Sequence, residues 1–162
     1  MTTTSTVLYP APAFSFSVSV AGSSGAAQGT TQSDASFQEV SGLDARIDVE
    51  ELQEGGENRY VHRLPKPTRA SNLVLKRGFV TGASYLATWA GQTVGSTYAA
   101  PITTNTIVVM LLGTDRSPLA AWNFERAWPV RWVTGPFDSM KNDVLTEVLE
   151  FSYSTVTRIA VP

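Results

Sequence analysis

The chain holds one histidine, His62, and no cysteine. A serine hydrolase would need that histidine beside a serine on a sharp strand-to-helix turn, and no G-x-S-x-G run occurs. His62 falls inside an alternating stretch and reads as a structural residue. Without cysteine there is neither a disulfide framework nor a thiolate metal site. The acids between residues 44 and 57 could bind a divalent cation, yet they lack the D-x-D-x-D-G spacing of a calcium loop. Alternate acids on a strand ordinarily make a wet face. No phosphate-binding loop and no Rossmann glycine pattern follows a strand, and Gly55-Gly56 reads as a turn. Catalytic residues, cofactor-binding residues and metal ligands are therefore not expected.

The charged residues are few, 16% of the chain, but unevenly placed. Residues 34–57 carry Asp34, Glu39, Asp44, Asp48, Glu50, Glu51, Glu54 and Glu57 against one base, Arg46. Residues 58–80 carry Arg59, Arg63, Lys66, Arg69, Lys76 and Arg77 and no acid. Two explanations compete. Complementary patches at opposite ends of a subunit would steer copies into head-to-tail contact, which gives a filament or tube when it does not close. Alternatively, the acidic and basic segments are two strands paired within one subunit. With 12 bases and 14 acids, the overall balance does not call for a nucleic-acid partner.

These residues must be positioned by strands. Residues 14–20 alternate, with Phe14, Phe16, Val18 and Val20 on one face. Residues 21–33 form a flexible loop by composition. A strand over 37–40 turns at Gly42. Residues 44–52 alternate again, with Ala45, Ile47 and Val49 facing one way. Residues 54–58 make a turn, and a return strand over 60–64 should end at Pro65 and Pro67. Short strands follow over 73–77 and 106–112, the latter apolar on both faces and so central. Residues 120–127 and 130–133 should be separate strands either side of Pro129. A long, bent strand covers 145–159, with Glu147, Glu150 and Arg158 on its outer edge. Residues 83–90 predict one short helix capped by Gly91, followed by a loop over 91–105. Trp122, Trp128 and Trp132 share one parity and read as a core aromatic layer or as an inter-subunit anchor. The count is seven to nine strands and one short helix in a single domain over 1–162: a mainly β chain, barrel or sandwich.

The first residues, Met1-Thr-Thr-Thr-Ser-Thr, show neither the basic nor the apolar region of a secretory signal. The longest apolar run, over 107–112, is too short to span a bilayer. Synthesis and folding in a bacterial cytoplasm are expected.

Several segments together carry a family resemblance: Phe14-Ser-Phe-Ser-Val, Phe37-Gln-Glu-Val-Ser-Gly-Leu-Asp44, Glu54-Gly-Gly-Glu-Asn-Arg-Tyr60, Asn72-Leu-Val-Leu-Lys-Arg-Gly78, the stretch from Trp122 to Trp132, and Glu147-Val-Leu-Glu-Phe. In order and content, the chain resembles the tail tube proteins of contractile phage tails. More closely, it is similar to the inner-tube proteins of extracellular contractile injection systems. The resemblance implies a β-barrel or sandwich with one flanking helix, shared with type VI secretion tube proteins. It implies six-membered rings stacked into a hollow tube inside a contractile sheath. Sheath and baseplate or spike proteins would be partners, with protein cargo in the lumen.

On that reading the segment over 54–67 projects and touches a neighbouring copy, and Glu50, Glu54, Glu57, Asn58, Arg59, Tyr60, Lys76, Arg77 and Trp89 lie at subunit interfaces. Arg59, Lys76 and Arg77 would meet Glu50, Glu54 or Glu57 of another copy. Reversing Lys76 and Arg77 to Glu should then block tube growth and leave monomers folded. The loops over 21–33 and 91–105 depart from the family pattern, so a main tube subunit and a specialised one at the baseplate end both stay open. The alternative function is a non-catalytic β-sandwich module that binds a ligand.

Overall fold

The computed structural model describes residues 15–22, 32–33, 37–56, 59–81, 84–96, 99, 101–136, 140 and 143–160. Alternation decides most of the strands, because one face of each must be buried. In β1 (Phe16–Gly22), Val18 and Val20 are buried and Phe16 packs against the same core, while Phe14 lies outside the described residues. β2 (Gln32–Ser33) pairs with β1, and residues 23–31 between them lie outside the described residues. β3 (Phe37–Ser41), β4 (Ala45–Leu52), β5 (His62–Ala70), β6 (Leu73–Gly78), the helix α1 (Tyr85–Gly95), β7 (Asn105–Leu112), β8 (Pro118–Thr134), β9 (Thr146–Ser152) and β10 (Thr155–Ala160) follow. Setting aside the two-residue β2, the nine strands and one helix among the described residues match the expected mainly β class.

Eight strands form one antiparallel sheet in the order β2-β1-β7-β8-β9-β6-β3, with β10 also paired to β8. Among the described residues the order stays open rather than closing into a barrel, although β1 and β3 approach each other. β7 lies between β1 and β8, the central place its two apolar faces predict. The core gathers Val18, Leu75, Ile107, Phe124, Leu149 and Phe151 from the sheet with Leu86 and Trp89 from α1.

β8 turns the corner of this sheet. Its residues up to Ala127 pair with β7 and β10, and from Trp128 onward it pairs with β9. Arg126, at φ 52°, marks the bend. The expected break at Pro129 does not occur. A register shift between Pro129 and Arg131 accommodates the missing backbone donor, and the strand runs through. The single long strand expected over 145–159 is two, β9 and β10, interrupted at Tyr153 and Ser154, and together they follow β8 around the corner.

The helix differs from expectation at both ends. It begins after Ser84, whose Oγ accepts a hydrogen bond from the Ala87 amide at 3.1 Å. Gly91 does not cap it. Gly91 lies inside the helix, where an added Cβ would stand 3.3 Å from the Trp132 ring, so its lack of a side chain lets α1 approach β8. Residues 91–95 of the expected loop are therefore the last turn of α1.

Candidate functional site

Among the described residues β4 and β5 pair only with each other, and nearly every residue along them is exposed, so they form a hairpin that projects from the body. Pro65 and Pro67 do not end β5. In a two-stranded ribbon each strand is an edge, and the register shift between Ile47 and Val49 absorbs the irregularity opposite the prolines. The register sorts the side chains. Ala45, Ile47 and Val49 share a face with Ala70, Thr68 and Pro65, and Arg46, Asp48, Glu50 and Leu52 share the other with Arg69, Leu64 and His62.

The acidic and basic segments thus meet within one chain. Arg69 and Arg46 approach Asp48 at 3.2 and 3.5 Å. Lys66 approaches Glu50 at 3.6 Å, Arg63 approaches Glu51 at 3.7 Å and His62 approaches Glu54 at 3.5 Å. All are exposed or half-exposed, so each contributes at most about 1 kcal/mol. Their consequence is register. Of the two explanations of the charge split, intrachain pairing accounts for these residues.

The root of the hairpin is fixed more firmly. Gly42 sits at φ 85°, and a Cβ there would stand 1.9 Å from the Asn72 carbonyl oxygen, so only glycine permits this crossing of strands. The Ser71 hydroxyl donates to Asp44 at 3.0 Å, and the Asn72 amide donates to Glu150 at 2.7 Å. Between the root and the β9–β10 corner lies a groove of about 350 Å³ lined by Ala45, Thr68, Ala70, Tyr153 and Val156 among others. Burial, reinforced by the negative charge of Asp44, raises the Tyr153 phenol above its ordinary pKa.

Behind the root, β6 carries the most deeply buried charge. Arg77 is 0% exposed, and its Nε donates to Glu147, itself 2% exposed, at 2.7 Å. Its Nη2 donates to Ser84 Oγ at 2.7 Å, and its guanidinium lies 5.2 Å from the Phe37 ring centre. The Trp132 indole donates to the other Glu147 oxygen at 2.7 Å. One ion pair therefore joins β3, β6, β8, β9 and the cap of α1. Low dielectric makes such a network stiff when every member is satisfied.

Arg77, expected at a contact with another copy, has no surface from which to make one. The double reversal of Lys76 and Arg77 would set a second carboxylate against buried Glu147, so it would not leave monomers folded. Lys76 is half-exposed, 4.0 Å from Glu39. Trp89, also expected at an interface, is buried, tilted against Phe151 at 5.4 Å and donating to the Thr103 carbonyl at 3.1 Å. Glu147, expected on an outer edge, is internal. Glu50 and Glu54 lie on the hairpin, and Arg59 and Tyr60 near its tip, with Tyr60 edge-on to His62 at 5.1 Å. Glu57 and Asn58 lie outside the described residues. Sequence reasoning gave Glu147 only an outer-edge place and did not single out Ser84, and the spacing of the two carries no signal that would join them to Arg77.

The family model of the T4-like virus tail tube protein gp19 matches residues 12–157. The chain belongs to the tail tube protein family. Among solved structures, this tail tube protein is similar to a chain of the anti-feeding prophage (AFP) baseplate, determined with six-fold symmetry. They are 29% identical, with 95% of this chain and 98% of that one covered and a TM-score of 0.83. It is also similar to a chain of the PVC sheath–tube complex of an extracellular contractile injection system in its extended state. That pair is 27% identical, with 98% and 100% covered and a TM-score of 0.77. Hcp1 from Flavobacterium johnsoniae, 17% identical over 90% of this chain and 95% of its own, shares the fold at a TM-score of 0.50. No curated protein sequence matches. The tail tube family and these neighbours are structural components, and the fold expectation of a tube-like β subunit with one helix holds.

Among the described residues, no helix is long and apolar enough to cross a membrane.

Proposed function

We propose that this tail tube protein is a subunit of the inner tube of a contractile injection system or contractile phage tail, forming six-membered rings that stack around a lumen. The observation that carries this reading is the family match along residues 12–157 together with near-complete mutual coverage of a chain in a six-fold assembly. The protein acts mechanically, as a wall. A tube that is pushed through an envelope needs subunits that do not shear, and the buried Arg77–Glu147 network ties five elements of each subunit into one body. A place at the baseplate end of the tube is the finer form of this reading, supported by the likeness to a chain of the AFP baseplate. Sheath outside, baseplate or spike at one end and protein cargo within are the partners this reading predicts, with synthesis in a bacterial cytoplasm before assembly into the particle.

Sedimentation velocity over a concentration series tests it. Discrete ring-sized and larger species are expected, with growth seeded by a preformed baseplate. A protein that stays monomeric at every concentration, seeded or not, contradicts the proposal.

A further inference from the structure

Among the described residues, two that are not glycine sit in the left-handed backbone region, and both are arginine: Arg116 at φ 63° and Arg126 at φ 52°. Each follows an exposed acid, Asp115 or Glu125. Arg116 is the last residue of the three-residue loop between β7 and β8. Its amide donates to the Gly113 carbonyl at 3.0 Å, and the Gly113 amide donates to the Ser117 carbonyl at 2.7 Å. Glycine ordinarily takes the left-handed place in such a loop. Arg126 stands in a bulge: Asn105 pairs with Ala127 and Ile107 with Phe124, so Glu125 and Arg126 together face Thr106. Left-handed backbone costs an L side chain stability that glycine keeps. Both arginines are exposed, and among the described residues neither side chain has an ion pair or hydrogen bond to offset that cost. The acids also lack cationic partners there. Asp115 accepts from the Ser117 hydroxyl at 2.6 Å and the Ser117 amide at 3.1 Å, and Glu125 accepts from the Asn123 amide at 3.4 Å. Between the two acid–arginine doublets, β8 runs from Pro118 to Glu125, about 24 Å at strand rise.

We infer that the Asp115–Arg116 doublet of one copy docks on the Glu125–Arg126 doublet of another, each guanidinium meeting the opposite acid, and that this contact is what keeps arginine at two glycine positions. The inference rests on the tube reading above and names one contact between copies. It lies on the main sheet, apart from the hairpin, whose charges already have partners within the ribbon. A second copy is the occupant because both doublets carry the two signs in the same order, so one complements the other when laid antiparallel. Two unlike ends make a heterologous contact, which builds rings or filaments, whereas a doublet docked on its own twin would close a pair. The chain's likeness to a member of a six-fold assembly favours the former. Exposed ion pairs are weak singly, and a ring repeats them at every contact.

Arg116→Gly and Arg126→Gly separate the cost from the benefit. Each should raise the melting temperature of the dilute subunit by roughly 2–4 °C, and each should raise the critical concentration for assembly roughly tenfold. Inverting the turn, Asp115→Arg with Arg116→Asp, should raise that concentration by roughly a hundredfold. Adding Glu125→Arg with Arg126→Glu to the same chain should restore assembly. Glycine variants that melt lower than the parent would mean that the arginines serve the fold, and would overturn the inference. An inverted turn that assembles like the parent would mean a doublet docked on its twin or no contact, and would overturn it too. So would a doubly inverted chain, folded by circular dichroism, that assembles no better than the singly inverted one. These three results leave the tube reading intact. Failure of the unmodified protein to associate, seeded or not, would remove the tube reading and this inference together.

Discussion

Arg77→Met is the substitution with the largest calculable consequence. It leaves the Glu147 carboxylate buried at 2% exposure with the Trp132 indole as its remaining partner among the contacts described above, and it strips Ser84 of its guanidinium donor. Removing one partner of a buried ion pair costs about 3–5 kcal/mol, because the surviving charge loses compensation it cannot recover from water. For a chain of this size each kcal/mol moves the melting temperature by roughly 2–4 °C, so the shift should be about 6–20 °C downward. The double variant Arg77→Met/Glu147→Leu removes both charges and should recover most of the loss, since a well-packed apolar pair often matches a buried ionic one. Lys76→Met, next along the strand but half-exposed, should cost under about 1 kcal/mol. Urea unfolding followed by circular dichroism would supply all four stabilities, with the slope checking that the unfolded state is unchanged. An Arg77→Met protein within about 1 kcal/mol of the parent, no worse than Lys76→Met, would refute the claim that this pair holds the subunit together.

Gly42→Ala forces a Cβ onto the Asn72 carbonyl at positive φ and should cost more than about 2 kcal/mol, whereas Gly55→Ala, with nothing within 4 Å, should be near neutral by thermal melting. Ser84→Ala removes the acceptor of both the Ala87 amide and Arg77. It should cost about 1–2 kcal/mol in denaturant titration. Because the folded-state pKa of Tyr153 is raised, the unfolded chain loses that proton first in alkali. Stability is therefore full below the ordinary tyrosine pKa and falls as pH rises through the folded value. Tyr153→Phe should flatten that alkaline decline in melts recorded across the pH range.

The strands of the body were legible because burial acts on alternate residues. Val18 and Val20, or Leu73 and Leu75, announce their strands directly. The three prolines misled for one physical reason: a missing amide is harmful in a central ladder and harmless at an edge or a bulge, and pairing partners are invisible in the sequence. Pro65 and Pro67 therefore looked like a terminus and Pro129 like a break. Gly91 looked like a cap because its real reason, the Trp132 ring, lies 41 positions further along the chain. The charge split was visible, and its resolution needed the register of β4 on β5, which placed Asp48, Glu50 and Glu51 beside Arg69, Lys66 and Arg63. Arg77 and Glu147 were read as surface charges because alternate charged residues on a strand usually face water. Only the packing of α1 and Trp132 over them makes that face internal.

Cryo-electron microscopy of the purified protein at high concentration, with a preformed baseplate as seed, tests the central claim most directly. Six-fold rings stacked around an open lumen are predicted. Particles no larger than one subunit, with the seed and without it, would contradict it.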